Sequence, residues 1–387
     1  MLRTLAHLAV VGLVLSNTTE VFGQAVFRSA LHDYRVVRVA DGLVQPWSIA
    51  FLPGGDILVT ERQGRLRIIR QGKLLPNAVE GVPTPLIDRQ AGLLEVAPHP
   101  NFATNRLLYI SYSKPTGEKT GTTAVARGRF EHDRLTNVEP IFQAVSQGLG
   151  HYGGKLAFDK NGYLFISIGD RQAPPEGNLE AHPSQDLTNH HGKIVRLHDD
   201  GRVPTDNPFV TRAGAKPEIW SYGHRNVQGL TIHPETGDLL ANEHGPQGGD
   251  ELNRIQAGKN YGWPMIGFGV NYRTGLAIHA GTHREGMEQP AHVWIPSIGI
   301  SGLAVYTGDK FPQWRGSLFA GGMAGEQLAR LTVTKTGVVR ETLLPEIGRI
   351  RDVRQSLDGF IYLAVDDRDG KPTGVYRLEP GGRTTVR

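Results

Sequence analysis

Apolar and polar residues alternate along this chain in short runs, and the runs come in pairs. Trp47-Ser48-Ile49-Ala50-Phe51 is followed, across Pro53-Gly54-Gly55-Asp56, by Ile57-Leu58-Val59-Thr60. The same figure returns at Gly92–Pro100 with Arg106–Ser111, at Gly154–Phe158 with Tyr163–Ser167, and at Gly229–Pro234 with Gly237–Leu240. It closes with Gly302–Tyr306 and Gly316–Ala320, then Arg351–Leu357 and Phe360–Ala364. A period of two buries one face of a strand, and Gly or Asp between two such runs marks a hairpin. Six pairs at intervals of roughly 45 to 75 residues leave room for four strands each. The pattern predicts an all-β fold, a six-bladed β-propeller of four-stranded antiparallel blades with long inter-strand insertions. Two packed β-sandwiches are the alternative, but they do not call for six similar units. No stretch beyond residue 40 carries a helical stripe of 11 residues or more.

In a propeller the inner strand of every blade lies against one axis, so loops far apart in sequence converge at its mouth. Two long segments, Arg171–His191 and Asn242–Asn271, read as insertions able to form a lid or binding loops.

The start of the chain has its own pattern. Arg3 precedes the nearly unbroken apolar run Leu5–Leu15, and Gly23-Gln24-Ala25 offers small residues at a cleavage point. Residues 1–25 therefore read as a signal peptide, residues 26–387 as a single propeller domain, and the location as periplasmic or secreted. An anchoring helix is the other reading, but the apolar run falls well short of the roughly 20 residues that span a bilayer, so no stable membrane insertion is expected.

Composition narrows the chemistry. The 387 residues include no Cys, which excludes disulfides, thiolate metal sites and a cysteine nucleophile. Lys+Arg 42 against Asp+Glu 38 leaves +4, spread along the chain. That argues against nucleic acid as a partner and for a local basic pocket that takes a small anion.

Four constellations can carry chemistry. His151, in Gly150-His151-Tyr152-Gly153-Gly154, stands at a blade entry as a general base or as a ring that satisfies a carbonyl. Arg225 and Asn226 precede another blade, either to bind carboxylates and carbonyls or to bridge blades. The segment Asn242–Asn253 places Gly245 and Pro246 a few residues before Asp250 and Glu251, which suits a hard cation such as Ca²⁺ or a solvated acidic turn. Arg349 and Arg351 alternate on one strand, as an anion clamp or a solvent-facing ladder. His190-His191 is a further candidate metal pair, disfavoured because adjacent strand residues face opposite ways.

Taken together, these segments resemble the soluble pyrroloquinoline quinone (PQQ)-dependent sugar dehydrogenases of the glucose/sorbosone dehydrogenase family. The resemblance runs from about Trp47 to Leu378. It rests on Gln185-Asp186-Leu187, Gly192–Leu197, Tyr222–Gly229, His244–Asn253, Asn260-Tyr261-Gly262-Trp263-Pro264 and Arg349–Val353. It is strongest to the periplasmic aldose sugar dehydrogenases. The resemblance implies oxidation of an aldose at C1 to the lactone, with hydride passing to PQQ and His151 as the base. It implies Gln90, Arg225, Asn226, Arg349 and Arg351 as cofactor contacts. It further implies Gly245 and Pro246 as carbonyl ligands of an active-site Ca²⁺, and Glu251 and Tyr261 as ligands of a calcium in the same insertion.

Two positions depart from relatives. Gly150 replaces an Asp that precedes the base elsewhere, and Ala324 stands in Gly322-Met323-Ala324-Gly325 where some relatives carry a Lys to the quinone. A calcium-dependent lactonase and a non-catalytic glycan- or protein-binding propeller are the competing functions. The expected partners are a small aldose and an electron acceptor that the sequence does not specify, for a monomer or homodimer.

Overall fold

The structure, a computed structural model, describes residues 25–334, 337–343 and 348–382. The segment read as a signal peptide, Ala25 excepted, lies outside the described residues. Six antiparallel sheets follow one another around an axis, each wound outward from an inner strand. The inner strands are Pro46–Phe51, Leu93–Pro98, Leu156–Phe158, Val227–Ile232, Ile300–Val305 and Arg349–Gln355, one for each of blades one to six. The second strands, such as Ile57–Glu61 and Leu164–Ile168, are buried on both faces and mostly apolar. Outer strands such as Arg134–Gln143 are largely exposed and polar. Helix is confined to the single turn Phe102–Asn105 and three short 3₁₀ turns among the described residues.

The core lies between blades rather than within them. Leu58, Leu66, Leu108 and Ile110 pack blade one on blade two, and Trp294, Leu303, Leu318 and Leu331 pack blade four on blade five. The ring closes through the N-terminal strand Tyr34–Val44, which pairs with Pro372–Pro380 of the last blade with Val36 opposite Leu378. Pairing the two ends of the chain in one sheet means the ring cannot open without losing a whole strand ladder.

Charges pin the axis. Lys155 of blade three forms an ion pair with Glu95 of blade two at 2.9 Å and donates to Asp352 of blade six at 3.1 Å. Arg354 bridges the same two carboxylates, and Asp352 also accepts from the Ile49 amide of blade one at 2.9 Å. The Lys155 ammonium sits 4.2 Å over the Trp47 ring. Two cations against two anions, each with hydrogen bonds, make this buried cluster tolerable.

The insertions fall where blades three and four lengthen. Residues 169–192 join the second and third strands of blade three, as expected. The second expected insertion is displaced. Leu239–Glu243 and Asp250–Ile255 are strands of blade four, and the long connection is residues 256–291. The reason is that Asp250–Ile255 buries Asp250, Leu252, Asn253 and Ile255, so polar residues occupy positions that pack like a strand.

Candidate active site

His151 enters blade three with a positive φ of 44° and is almost wholly buried. Its Nδ1 lies 2.6 Å from Asp170 Oδ1, and Asp170 stands just past the second strand of the same blade. The other carboxylate oxygen, Oδ2, accepts from Trp263 Nε1 at 2.8 Å, and the Gln172 amide donates to Oδ1 at 2.9 Å. Burial alone would raise the Asp170 carboxyl, but the His151 charge and hydrogen bond, with Arg225, hold it below the usual range. Burial pushes the His151 imidazole below 6.5, outweighing the attraction of Asp170. The stable pair is an ionised Asp170 and a neutral His151 that carries its proton on Nδ1, which leaves Nε2 as a free base.

The loop is held from several sides. Gln90 Oε1 accepts from the His151 amide at 2.8 Å. Arg171, buried against the Tyr152 ring at 3.4 Å, donates to the carbonyls of Gly150, Gly121 and Gly148. A Cβ at Gly150 would meet the amide end of Gln172. The space that an Asp side chain would take at residue 150 is therefore filled from residue 172, and the imidazole finds its carboxylate at Asp170 instead.

Two cavities meet at Gln90 and His244. One, of about 240 Å³, is lined by Trp47, Arg62, Asn226, Gln228, Met323, Arg349, Arg351 and Asp366 among others. The other, of about 500 Å³, is lined by His151, Asp170, Arg225 and Trp263, with Tyr272 and Arg273 from the blade-four insertion. In the first, Arg351 donates to Gln228 at 2.7 Å, stacks 4.4 Å over Trp47 and is pushed down to about 10 by burial. Arg351 is the extra residue of a bulge opposite Val365 and Ala364, which turns it toward Met323 alongside Arg349. Buried Nε atoms of Arg225, Arg349 and Arg351, and Oδ1 of Asp366, have no hydrogen-bond partner. Ala324 does not line this cavity; its neighbour Met323 does.

Gly245, Pro246, Glu251 and Tyr261 line a third space of only about 20 Å³, together with Glu243 and His244. Burial, then the nearby Glu243, pushes the Glu251 carboxyl up to about 8. A Cβ on Gly245 would collide with the carbonyl oxygens of Gly248 and Gly249, so only glycine fits this turn. Among the described residues no group of three or more acidic, His or Cys side chains could hold a metal, so a cation here must draw on backbone carbonyls. The Tyr261 hydroxyl is already engaged: it donates to the Arg254 carbonyl at 2.6 Å and accepts from the Gln256 amide at 2.9 Å. Only the backbone carbonyl of Tyr261 is left to offer. His190 and His191 do not form a pair. His190 bonds Glu218 at 2.9 Å and the Val145 amide, and His191 bonds the Gln147 carbonyl.

The family model described as "Glucose / Sorbosone dehydrogenase" matches residues 43–377. The protein belongs to the glucose/sorbosone dehydrogenase family. It is 42% identical over 341 residues to the aldose sugar dehydrogenase YliI of Escherichia coli, covering 86% of this chain and 90% of that one. Among solved structures it is similar to a glucose dehydrogenase at 45% identity and a TM-score of 0.83, covering 90% of this chain and 99% of the other. It is also similar to the PQQ-bound form of the aldose sugar dehydrogenase from Streptomyces coelicolor, at 28% identity and a TM-score of 0.72 over 89% and 98% of the two chains.

In this dehydrogenase, Gln90, Asn226, Arg349 and Arg351 share the arginine-lined cavity, whereas Arg225 lines the larger one and the small space beside Glu251. Sequence reading missed Arg62, Asp170, Gln172 and Asp366, and it gave Trp263 no role. The signals were present: Gly169-Asp170-Arg171 follows directly on an apolar strand, and Arg62 sits one residue after the second strand of blade one.

Proposed function

We propose that this family member is a PQQ- and Ca²⁺-dependent aldose dehydrogenase of the periplasm or cell exterior, with His151 as its general base. The observation that carries the reading is a buried Asp170–His151 dyad lining a sugar-sized cavity, directly beside a second cavity lined by three arginines, two of which, Arg349 and Arg351, keep an unpartnered Nε.

The residues present fit both absent groups. PQQ bears three carboxylates, and Arg62, Arg349 and Arg351 line one cavity, the last two each with an unpartnered Nε, while Arg225 lines the adjoining cavity. The buried Glu251 carboxyl, raised by burial and by Glu243, is a site that a divalent cation would relieve, with carbonyls from Gly245, Pro246 and Tyr261 as oxygen donors. When bound, PQQ supplies the two-electron acceptor and Ca²⁺ the positive charge that favours its reduction.

The chain's own residues do the rest. Nε2 of His151 accepts the proton of the C1 hydroxyl as the C1 hydrogen leaves with its electron pair, so the aldose becomes a lactone. Asp170 keeps the proton on Nδ1 and stabilises the imidazolium that forms, while Trp263 and Gln172 fix the carboxylate. General-base catalysis of this kind contributes about 10² to 10⁴-fold. The mature protein, loaded with PQQ and Ca²⁺ and given an artificial electron acceptor, is expected to convert aldoses to lactones. Lactone hydrolysis without PQQ, and no aldose oxidation with it, would favour the lactonase instead.

A further inference from the structure

The walls of the substrate-side cavity are unevenly charged. Two arginines, Arg225 and Arg273, line it against one carboxylate, Asp170. Both Asp170 oxygens are committed, to His151 and Gln172 on one side and Trp263 on the other. Arg225 also reaches the cation space and donates to the His244 carbonyl at 3.2 Å. The Arg273 side chain, by contrast, has no carboxylate within ion-pair distance among the described residues, and it does not line the arginine-rich cavity.

The loop that carries Arg273 is built. Asn271 Oδ1 accepts from the Arg273 amide at 2.9 Å and from the Thr274 amide at 3.1 Å, and Val270 bridges to both Gln247 and Ala277. Beside it the exposed Tyr272 ring offers a face on which a pyranose can lie.

We propose that the substrate class is anionic: aldoses that carry a carboxylate or phosphate on the carbon far from C1, bound by Arg273 while C1 faces His151. This rests on the aldose dehydrogenase reading above and leaves its electron balance unchanged, because the anionic group takes no part in the redox step. A free guanidinium on a cavity wall forms a charge-assisted, bidentate bond to an oxyanion that a neutral hydroxymethyl group cannot reproduce.

The test compares kcat/KM for glucuronate, glucose 6-phosphate and glucose on the PQQ- and Ca²⁺-loaded protein, for wild type, Arg273→Gln and Arg273→Lys. The expected hexuronate-to-glucose ratio exceeds one by about tenfold at low salt, shrinks as salt rises, collapses in Arg273→Gln and is partly kept in Arg273→Lys. The change should lie in KM rather than kcat. The two anionic arms separate a carboxylate preference from a phosphate preference. Turnover of glucose with no preference for either anion, or a preference that survives Arg273→Gln, overturns this inference alone. No oxidation of any of the three sugars overturns the underlying reading and this inference with it.

Discussion

Asp170 and His151 are separated by 19 residues and joined by one 2.6 Å bond, and the chemistry proposed here turns on that bond. His151 is held below its ordinary 6.5 by burial, so its base form predominates at neutral pH. Activity that needs the neutral ring is lost as pH falls through the lowered value. The expected kcat/KM profile therefore falls only on its acid side, with the midpoint of that limb below 6.5. A fall that already begins near pH 7.5 would contradict it. Asp170→Asn keeps the shape but lets the amide donate to Nδ1, which places the histidine proton on Nε2. It is expected to cost on the order of 10²-fold or more in kcat with PQQ affinity nearly unchanged, as read by quinone absorbance. Arg62→Ala acts on the other cavity and should weaken PQQ binding about tenfold while leaving the acid limb of the pH profile in place.

At the scale of elements, the paired alternating runs make the six hairpins legible because both strands of each lie within about 20 residues. Tyr34–Val44 is not legible as part of the last blade, since its partner is more than 300 residues away and its pattern is that of any half-buried strand. Asp250–Ile255 reads as a loop because buried Asp250 and Asn253 replace the expected apolar residues. His151 and the last-blade arginines stand out in the sequence because a His followed by two glycines, and two arginines at alternate positions, sit at strand entries. Asp170, Arg62 and Gln172 are not, because a single acid, Arg or Gln near a turn looks like solvated surface until the fold closes around it. The turn around Gly245 carries its own prediction. If Glu251 and the neighbouring carbonyls hold Ca²⁺, then saturating Ca²⁺ at a hundredfold excess over Kd stabilises the fold by about 2.7 kcal/mol. Differential scanning calorimetry should show that rise in Tm for wild type and not for Glu251→Gln, whereas an equal rise in both would remove Glu251 from the site.

Across the whole molecule, the charged cluster on the axis ties four blades together directly beneath Trp47, which forms part of the wall of the arginine-lined cavity. Removing the Lys155 ammonium leaves Glu95 and Asp352 to share Arg354 alone. Lys155→Met is expected to cost about 3–5 kcal/mol, seen as a lower denaturation midpoint. An unchanged midpoint would mean that the cluster contributes nothing net.

The central claim joins the two cavities into one reaction, and a spectroscopic titration reaches it most directly. EDTA-treated mature protein is titrated with PQQ, with and without Ca²⁺, and an aldose is then added without any external acceptor. The expected result is saturable, Ca²⁺-dependent binding followed by a single-turnover loss of the quinone absorbance, and in His151→Ala the same binding with the loss slowed at least 10²-fold. Absence of PQQ binding at micromolar concentration, or bleaching at the wild-type rate in His151→Ala, would contradict it.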